Sequence, residues 1–247
     1  AHEQDPMEVG PHPHIGLSTV TWLLEGEALH SDSLGTQQLI RPGQLNLMGA
    51  GHGIAHAELA AQPPFRGVQM WIAQPEQTRH GESFFEHHGE LPQVEFDGLR
   101  GLVMMGQMAG QRSAARADWP SVGADLTLDR GRSLVPITST FEHCVVPLDG
   151  RVMVGEEVVE PGWLGLVPAG YEELPIASET DATRFLLLGG EPLGEKVAMW
   201  WNFVARDRDE ISQAYQDWEE RTDRFGEVPS SLERIDAPRP PWMPGDD

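Results

Sequence analysis

The chain has 247 residues, which is enough for one large β domain or two small ones. Its 17 Lys and Arg residues stand against 39 Asp and Glu residues, so the formal net charge is −22. Such a chain repels nucleic-acid phosphates and anionic lipids, so we expect neither direct nucleic-acid binding nor a membrane partner. The single cysteine, Cys144, cannot form a disulfide within the chain, which favours a cytoplasmic protein.

Short apolar runs separated by Gly and Pro predict strands and turns in the first half of the chain. Residues 1–11 are polar and are predicted to be irregular. Alternating or β-branched segments predict strands at residues 15–24, 28–32, 37–40, 45–48, 54–59, 65–73 and 99–108. Residues 74–98 show little periodicity and are predicted to be a long surface excursion.

Two short clusters of metal-capable side chains flank this strand-rich stretch. His12 and His14 precede it, and His56 and Glu58 close it. Side chains at positions i and i+2 of a strand share a face, so two adjacent strands could aim three imidazoles and one carboxylate at one point. Such ligands suit iron, zinc, copper, nickel or manganese better than magnesium or calcium. The alternative is that these are ordinary surface or core side chains, because short motifs match by chance.

The second half of the chain repeats part of the first. The pattern P-G-x-L-x-L-x-x-A-G occurs at residues 42–51 and again at 161–170, which predicts two β units of one kind. The same offsets within the second copy lead to Pro136, Thr138, Pro175 and Ala177, none of which binds metals. The sequence therefore predicts a metal-binding barrel at residues 1–115 and a metal-free barrel at residues 116–247.

The C-terminal segment differs from both repeats. An apolar run at residues 197–204 precedes Asp207 and Glu210, whose spacing resembles a capping box. Ile211, Ala214 and Trp218 then follow helical spacing, which predicts a helix over residues 208–220 packed on the body of the protein. The proline-rich tail after Phe225 is predicted to be either an extended wrap or disordered.

Four longer motifs resemble the pirin family of the cupin superfamily. They are P-H-P-H-I-G-L-x-T-V-T-W-L-x-E-G at Pro11, L-H-x-D-S-L-G at Leu29, P-G-x-L-N-x-M-x-A-G-x-G-I-x-H-x-E at Pro42 and M-W-W-N-F-V at Met199. The likeness covers nearly the whole chain. It implies an all-β bicupin, with two antiparallel β-barrels (double-stranded β-helices) and a C-terminal α-helix.

The resemblance also implies a single mononuclear metal in the N-terminal barrel. The family's ligands fall on His12, His14, His56 and Glu58. Iron, as Fe(II), is the metal that the resemblance favours, with zinc, copper, nickel, manganese or cobalt as alternatives. It further implies a flavonol dioxygenase activity (quercetin 2,3-dioxygenase), whereas other members act as interaction proteins in transcriptional control or metabolic regulation.

Two departures from the family pattern stand out. Only eleven residues precede His12, whereas the family usually has a longer segment of strands before the first histidine pair. We therefore expect either that the N-terminus is truncated or that the first barrel closes differently. The glycine-rich corner at residues 49–53 carries His52, where the family often has Arg. We expect His52 to be either an exposed loop residue or a group that tunes the site.

Three functions follow from these residues. In an enzyme, Glu58 would bind the metal and take the hydroxyl proton of a flavonol that reacts with O2. In a regulatory or redox-sensing protein, the same metal would alter a surface that binds a protein partner; in a scaffold, it would serve stability alone. The candidate substrate contacts are Met48 and His52, and the candidate pocket walls are Leu47, Trp22 and Met70, each of which is otherwise a core residue.

Overall fold

The computed structural model describes residues 7–60 and 62–244 and divides into two compact units. One contains the described residues up to Gly89 together with those from Gly194 onward, and the other spans Glu90–Leu193. This division differs from the predicted barrels at 1–115 and 116–247. The C-terminal segment belongs to the first unit because its helix packs there, in a cluster that includes Ile15 and Ala55.

The first unit is built from two four-stranded antiparallel sheets, a β-hairpin and a helix. Its elements are β1 (Met7–His14), β2 (Leu17–Glu25), β3 (Ala28–Asp32), β4 (Gln37–Ile40), β5 (Leu45–Gly49), β6 (Ile54–Ala60), β7 (Arg66–Ala73), β8 (Phe84–His88), β21 (Ala198–Trp200), β22 (Phe203–Ala205) and α1 (Arg208–Glu219). The sheets have the orders β1-β6-β3-β4 and β7-β2-β5-β8, and the hairpin pairs β21 with β22.

The second unit is built from strands alone. Its strands are β9 (Gln93–Phe96), β10 (Leu99–Met105), β11 (Gln107–Met108), β12 (Gln111–Arg112), β13 (Ser121–Leu128), β14 (Gly131–Pro136), β15 (Glu142–Asp149), β16 (Val152–Val154), β17 (Glu157–Val159), β18 (Gly165–Val167), β19 (Glu173–Ser178) and β20 (Thr183–Gly190). A six-stranded sheet has the order β18-β15-β20-β13-β10-β9, a four-stranded sheet has the order β14-β19-β16-β17, and β11 pairs with β12.

The predicted all-β bicupin with a C-terminal helix is confirmed. Each unit has two antiparallel sheets, the paired-sheet organisation of a cupin barrel, and each has its own buried apolar core. In the second unit this core includes Phe185, Leu187 and Leu126. In the first unit, β2 is buried along most of its length, from Leu17 to Leu23. No helix in the described ranges is both long and apolar enough to cross a bilayer.

Most predicted strands are confirmed, and two stretches were predicted wrongly. Strands at 28–32 and 37–40 have the predicted bounds. Residues 7–11 are not irregular but form most of β1, which pairs with β6; residues 1–6 lie outside the described residues. The supposed excursion at 74–98 contains β8 and β9. Residues 84–88 become a strand because they pair with β5, a partner almost 40 residues away, and not because of their own periodicity.

The predicted helix is confirmed at Arg208–Glu219, with Asp207 as its N-cap. The Asp207 carboxylate accepts from the backbone N–H groups of Asp209 and Glu210, at 2.9 and 3.0 Å. The Glu210 carboxylate does not complete a capping box, because it accepts from the Arg206 backbone N–H at 3.1 Å and pairs with the Arg79 guanidinium. Helix α1 is therefore anchored to the loop that follows β7.

The tail after Phe225 runs as an extended segment along the first unit, one of its two predicted forms. It has no regular secondary structure up to residue 244. The Ile235 N–H donates to the Pro11 carbonyl at 2.9 Å, and the Ile235 carbonyl accepts from the Trp218 indole N–H at 2.9 Å. The tail thus joins helix α1 to β1, the strand that carries the first histidine pair.

Candidate metal centre

Three histidines come together where β1 pairs with β6. His12 lies opposite His56 across the antiparallel pair, and Val9 lies opposite Glu58. The register of the two strands shifts between Val9 and His12. The ring centroids of His12 and His56 are 4.3 Å apart, and each lies 5.0 Å from the centroid of His14. The Nε2 atoms of His14 and His56 are 3.1 Å apart. The predicted convergence of the two clusters is thus present for all three imidazoles.

Two of these imidazoles are oriented by backbone carbonyls. His12 Nδ1 lies 2.9 Å from the Gly10 carbonyl, and His14 Nδ1 lies 3.2 Å from the Asn202 carbonyl. A carbonyl only accepts, so each Nδ1 carries the proton and donates it. The Nε2 lone pair of each ring is therefore available to a metal.

His56 is oriented by another side chain. Its Nδ1 lies 3.4 Å from His30 Nδ1, and His30 Nε2 lies 3.0 Å from an oxygen of Asp32. Burial alone would raise the pKa of Asp32, but the hydrogen bonds from His30 and from the Thr36 backbone N–H lower it overall. Asp32 is therefore an ionised acceptor at neutral pH.

All three clustered histidines are buried and neutral. Burial lowers the pKa of His12, against the raising effect of its bond to the Gly10 carbonyl. Burial, and then the neighbouring His12, hold the pKa values of His14 and His56 well below the ordinary value. Neutral imidazoles are the form that binds a metal, so the cluster is ready to do so without releasing protons.

Glu58 lies beside this cluster with its carboxylate held by two other side chains. The Gln69 amide donates to both carboxylate oxygens, at 2.9 and 2.8 Å, and the Thr21 hydroxyl lies 3.4 Å from Oε1. Potential ligand atoms of His12, His14 and His56 all lie within 4.8 Å of one another. The same is true of a second group, which consists of His30, His56 and Glu58. His56 links the two groups. The buried set of His12, His14, His56 and Glu58 fits a cupin metal site.

A cavity of about 390 Å³ opens onto these side chains from within the first unit. His12 and Glu58 lie on its wall together with Thr21 and Gln69. Its remaining lining is mostly apolar or aromatic: Met7, Val9, Leu23, Phe65, Gly67, Val68, Trp71, Trp201, Asn202 and Ile235. A small aromatic molecule could therefore approach Glu58 along an apolar surface.

The predicted substrate contacts, Met48 and His52, are not among the residues that line this cavity. Met48 is buried in a cluster with Ala50 and Ile54, and His52 is exposed at the glycine-rich corner, where its backbone carbonyl accepts from Arg224. Met48 is 1% exposed, and the cavity wall is formed by other residues of the first unit. The predicted walls Leu47, Trp22 and Met70 do not line it either, and the first two are fully buried core residues.

Sequence reasoning missed the side chains that support the cluster. Gln69 and Thr21 lie opposite each other on the neighbouring strands β7 and β2. His30 and Asp32 share one face of β3, which pairs with β6. The His30-x-Asp32 spacing within the third strand was the available signal, since it matches that of His12-x-His14.

Within the described residues, both groups of metal-capable side chains belong to the first unit. The positions reached by counting in the second copy are not all true counterparts: Leu134, and not Pro136, lies opposite Pro175. Counting fails there because five residues connect β14 to β15, whereas two connect β1 to β2.

Comparison with known proteins identifies the family. The family model "Pirin" matches residues 1–72, and the model "Pirin C-terminal cupin domain" matches residues 123–226. A Pseudomonas aeruginosa protein named "Putative quercetin 2,3-dioxygenase" is 43% identical over 241 residues, covering 96% of this chain and 76% of that protein. The chain belongs to the pirin family. Human pirin is 30% identical to this pirin-family chain over 223 residues, covering 87% of the chain and 77% of human pirin.

A solved structure shares the whole fold. The crystal structure of a quercetin 2,3-dioxygenase from Acinetobacter baumannii has a TM-score of 0.93 and 39% identity to this pirin-family chain. The structural alignment covers 98% of this chain and 82% of the Acinetobacter chain. The family resemblance inferred from the four motifs is thus confirmed, and the bicupin architecture is shared with a protein that carries a dioxygenase name.

Proposed function

We propose that this pirin-family protein is a metal-dependent dioxygenase that cleaves the C2–C3 bond of a flavonol such as quercetin with O2. The observation that carries the proposal is that Glu58, next to the cluster of neutral histidines, faces an apolar cavity. The dioxygenase names of the Pseudomonas and Acinetobacter proteins support it. The proposed ligands are His12, His14, His56 and Glu58.

The donor set suits one divalent transition metal. Three imidazole nitrogens and one carboxylate oxygen favour iron, zinc, copper, nickel, manganese or cobalt over the hard cations. The family resemblance favours Fe(II). When bound, such a metal supplies the Lewis acidity and the redox chemistry that reaction with O2 needs.

Glu58 is the proposed proton acceptor. A general base must lie within hydrogen-bond reach of the proton that it removes, and the Glu58 carboxylate lies on the cavity wall. The Gln69 amide donates to both of its oxygens, which orients the carboxylate toward the cavity wall that it shares with Gln69. Glu58 would take the 3-hydroxyl proton of a flavonol, and the product would recover a proton when it leaves.

The cavity has the size and surface that a flat polyphenol requires. Its volume of about 390 Å³ lies within the range of small-molecule sites. Trp71, Trp201 and Phe65 contribute aromatic side chains to its lining. These would stack on or pack against the flavonol rings and exclude water from the reacting bond.

The overall reaction balances without a further reductant. The C2–C3 and C3–C4 bonds both break, C3 leaves with its own oxygen as carbon monoxide, the two atoms of O2 end on C2 and C4, and the flavonol supplies the electrons. An external electron donor is therefore not needed in the assay.

The test is an aerobic assay of the metal-loaded protein with quercetin that measures O2 consumption and carbon monoxide release, paired with elemental analysis. We expect Glu58→Gln to lower kcat by about 10²–10⁴-fold, the usual contribution of a general base. Glu86→Gln, which alters a carboxylate outside the cavity lining, is the matched control. A wild-type protein with one bound metal and no turnover would refute the proposed activity.

A second candidate is a metal-containing regulatory or redox-sensing protein that binds a protein partner without turnover. It is favoured by an apolar surface in the second unit, where Trp163, Leu164 and Leu166 are 73, 60 and 74% exposed. Exposed apolar side chains that lie close together are typical of protein-binding surfaces. Metal loading without O2 consumption, combined with a stable complex that Trp163→Ala disrupts, would favour this candidate over the enzyme.

A further inference from the structure

The three clustered histidines are not oriented in the same way. The Nδ1 atoms of His12 and His14 face backbone carbonyls, which fix the proton on Nδ1. The Nδ1 of His56 instead faces the Nδ1 of His30 at 3.4 Å. An imidazole nitrogen is able to donate or to accept, so this contact alone does not fix which of the two rings carries the proton.

Asp32 resolves the ambiguity. Its Oδ2 lies 3.0 Å from His30 Nε2, and its Oδ1 accepts from the backbone N–H groups of Leu34 and Thr36, at 2.9 and 3.0 Å. A carboxylate held by two N–H donors acts as an acceptor, so His30 Nε2 carries a proton and donates it. Because His30 Nε2 donates to Asp32, His30 Nδ1 is the ring atom left to accept, and His56 Nδ1, which faces it at 3.4 Å, donates to it.

We infer that Asp32 and His30 are positioning residues that fix His56 as the tautomer protonated on Nδ1, with its Nε2 lone pair directed at the metal. The inference rests on the metal site proposed above. It makes one chain of hydrogen bonds from Asp32 through His30 to His56. Such chains raise the basicity of a ligand histidine and hold its ring in the binding orientation.

His30 does not serve as a ligand in this arrangement, although it belongs to a group with His56 and Glu58. Both of its ring nitrogens are used in hydrogen bonds. Its ring is also stacked on Phe85, with centroids 4.5 Å apart and an interplanar angle of 21°. The ring is 4% exposed and the Asp32 side chain is fully buried, so bulk solvent does not compete for these contacts.

The primary test is nitrogen-15 NMR of the zinc-loaded wild-type protein with labelled histidine, since zinc is diamagnetic. We expect His56 to be protonated on Nδ1 and coordinated through Nε2, and His30 to be protonated on Nε2 without zinc coordination. Zinc coordination of His30, or a His56 ring protonated on Nε2, would overturn the inference. This measurement needs no variant to fold.

Zinc affinity, measured by competition with a chelator, is the second test. We expect Asp32→Asn and His30→Gln each to weaken zinc binding by about 10–100-fold, while one zinc still binds at saturation. Asp125→Asn is the matched control, because Asp125 is a buried carboxylate of the second unit that pairs with Arg184. Wild-type affinity in Asp32→Asn would contradict the inference, as would an equal loss in Asp125→Asn.

These readouts separate the inference from the proposed activity. A protein that binds zinc with the expected tautomers but does not turn over quercetin as the iron form would refute only the enzyme. A protein that binds no transition metal would refute the site itself. Tautomers other than those expected, in a protein that does turn over quercetin, would refute only the roles of Asp32 and His30.

Discussion

His12 lies directly opposite His56 across the β1–β6 pair, with ring centroids 4.3 Å apart. This relationship joins two motifs that are more than 40 residues apart in the sequence. Strand β1 lies at the edge of its sheet, so it has β6 on one side only. The geometry of the cluster therefore depends on this strand pair, and on the segment that holds β1 from outside.

Replacing a clustered histidine should remove the metal. We expect His14→Gln to lower metal affinity by at least about 100-fold, because it removes a buried nitrogen from a set of four proposed ligands. Metal content after dialysis, measured by elemental analysis, checks this. His143→Gln is the control, since His143 is a buried histidine of the second unit and should leave metal content unchanged. Full metal content in His14→Gln would contradict the assigned ligand set.

Replacing Gln69 should impair Glu58 without removing the metal. Gln69 donates to both carboxylate oxygens of Glu58, and a hydrogen bond to a charged group contributes about 1.5–3 kcal/mol. We therefore expect Gln69→Leu to lower kcat by about 10–100-fold. Steady-state kinetics with elemental analysis provides the measurement, and Gln37→Leu, an exposed amide of the same unit, is the control. Unchanged kcat in Gln69→Leu would show that this bond does not orient the base.

Replacing Trp71 should weaken substrate binding. Trp71 lines the cavity, is 40% exposed and meets His14 edge to face, with centroids 5.3 Å apart. Loss of an aromatic contact costs about 0.5–1.5 kcal/mol beyond the buried area, so we expect Trp71→Ala to raise KM for quercetin by about 3–10-fold. The more exposed Trp163 of the second unit offers the control variant Trp163→Ala. Equal KM values in the two variants would argue against substrate contact at Trp71.

Glu210 should make stability depend on pH. Burial alone would raise its pKa, but the Arg79 guanidinium and the Arg206 N–H lower it below its ordinary 4.5. Stabilisation by such a group is present above pH 4.5 and is lost as the pH falls through the lowered value. We expect Glu210→Gln to lose about 1–2 kcal/mol at pH 7.

Thermal unfolding of wild type and Glu210→Gln between pH 7 and 3 measures this effect. The difference in Tm should narrow once the pH is below 4.5, where the wild-type carboxylate also becomes protonated. Glu227→Gln, an exposed carboxylate of the same unit, should show no such narrowing. A Tm difference that is constant across this range would rule out the Arg79–Glu210 pair as its source.

The sequence predicted those strands and helices whose residues carry a clear local pattern. Strand β3 and helix α1 follow from the alternation of side chains and from the Asp207 cap, so their bounds were predicted almost to the residue. Strand β8 was missed because Glu86, His87 and His88 hide its alternation. It exists because it pairs with β5, and such a long-range pairing leaves no local signal.

The convergence of the proposed ligands was predictable from the sequence, and the residues around them were not. The i, i+2 spacing of His12 with His14, and of His56 with Glu58, already implied a shared face. Met48 was predicted as a substrate contact but does not line the cavity, and a strand buried on both faces leaves no sign of which face lines a pocket. Gln69 and Asp32 were missed because they act on the cluster from other strands, and strand order cannot be read from local sequence.

The Asn202 carbonyl that orients His14, and Ile235 on the cavity wall, follow the first histidine pair by about two hundred residues. During translation, His12 and His14 leave the ribosome before the entire second unit, Glu90–Leu193, is synthesised. A nascent chain stalled before residue 202 would lack the carbonyl that orients His14 and part of the cavity wall. Tight metal binding would then occur late in biosynthesis, after the C-terminal segment that contains Asn202 and Ile235 has been synthesised.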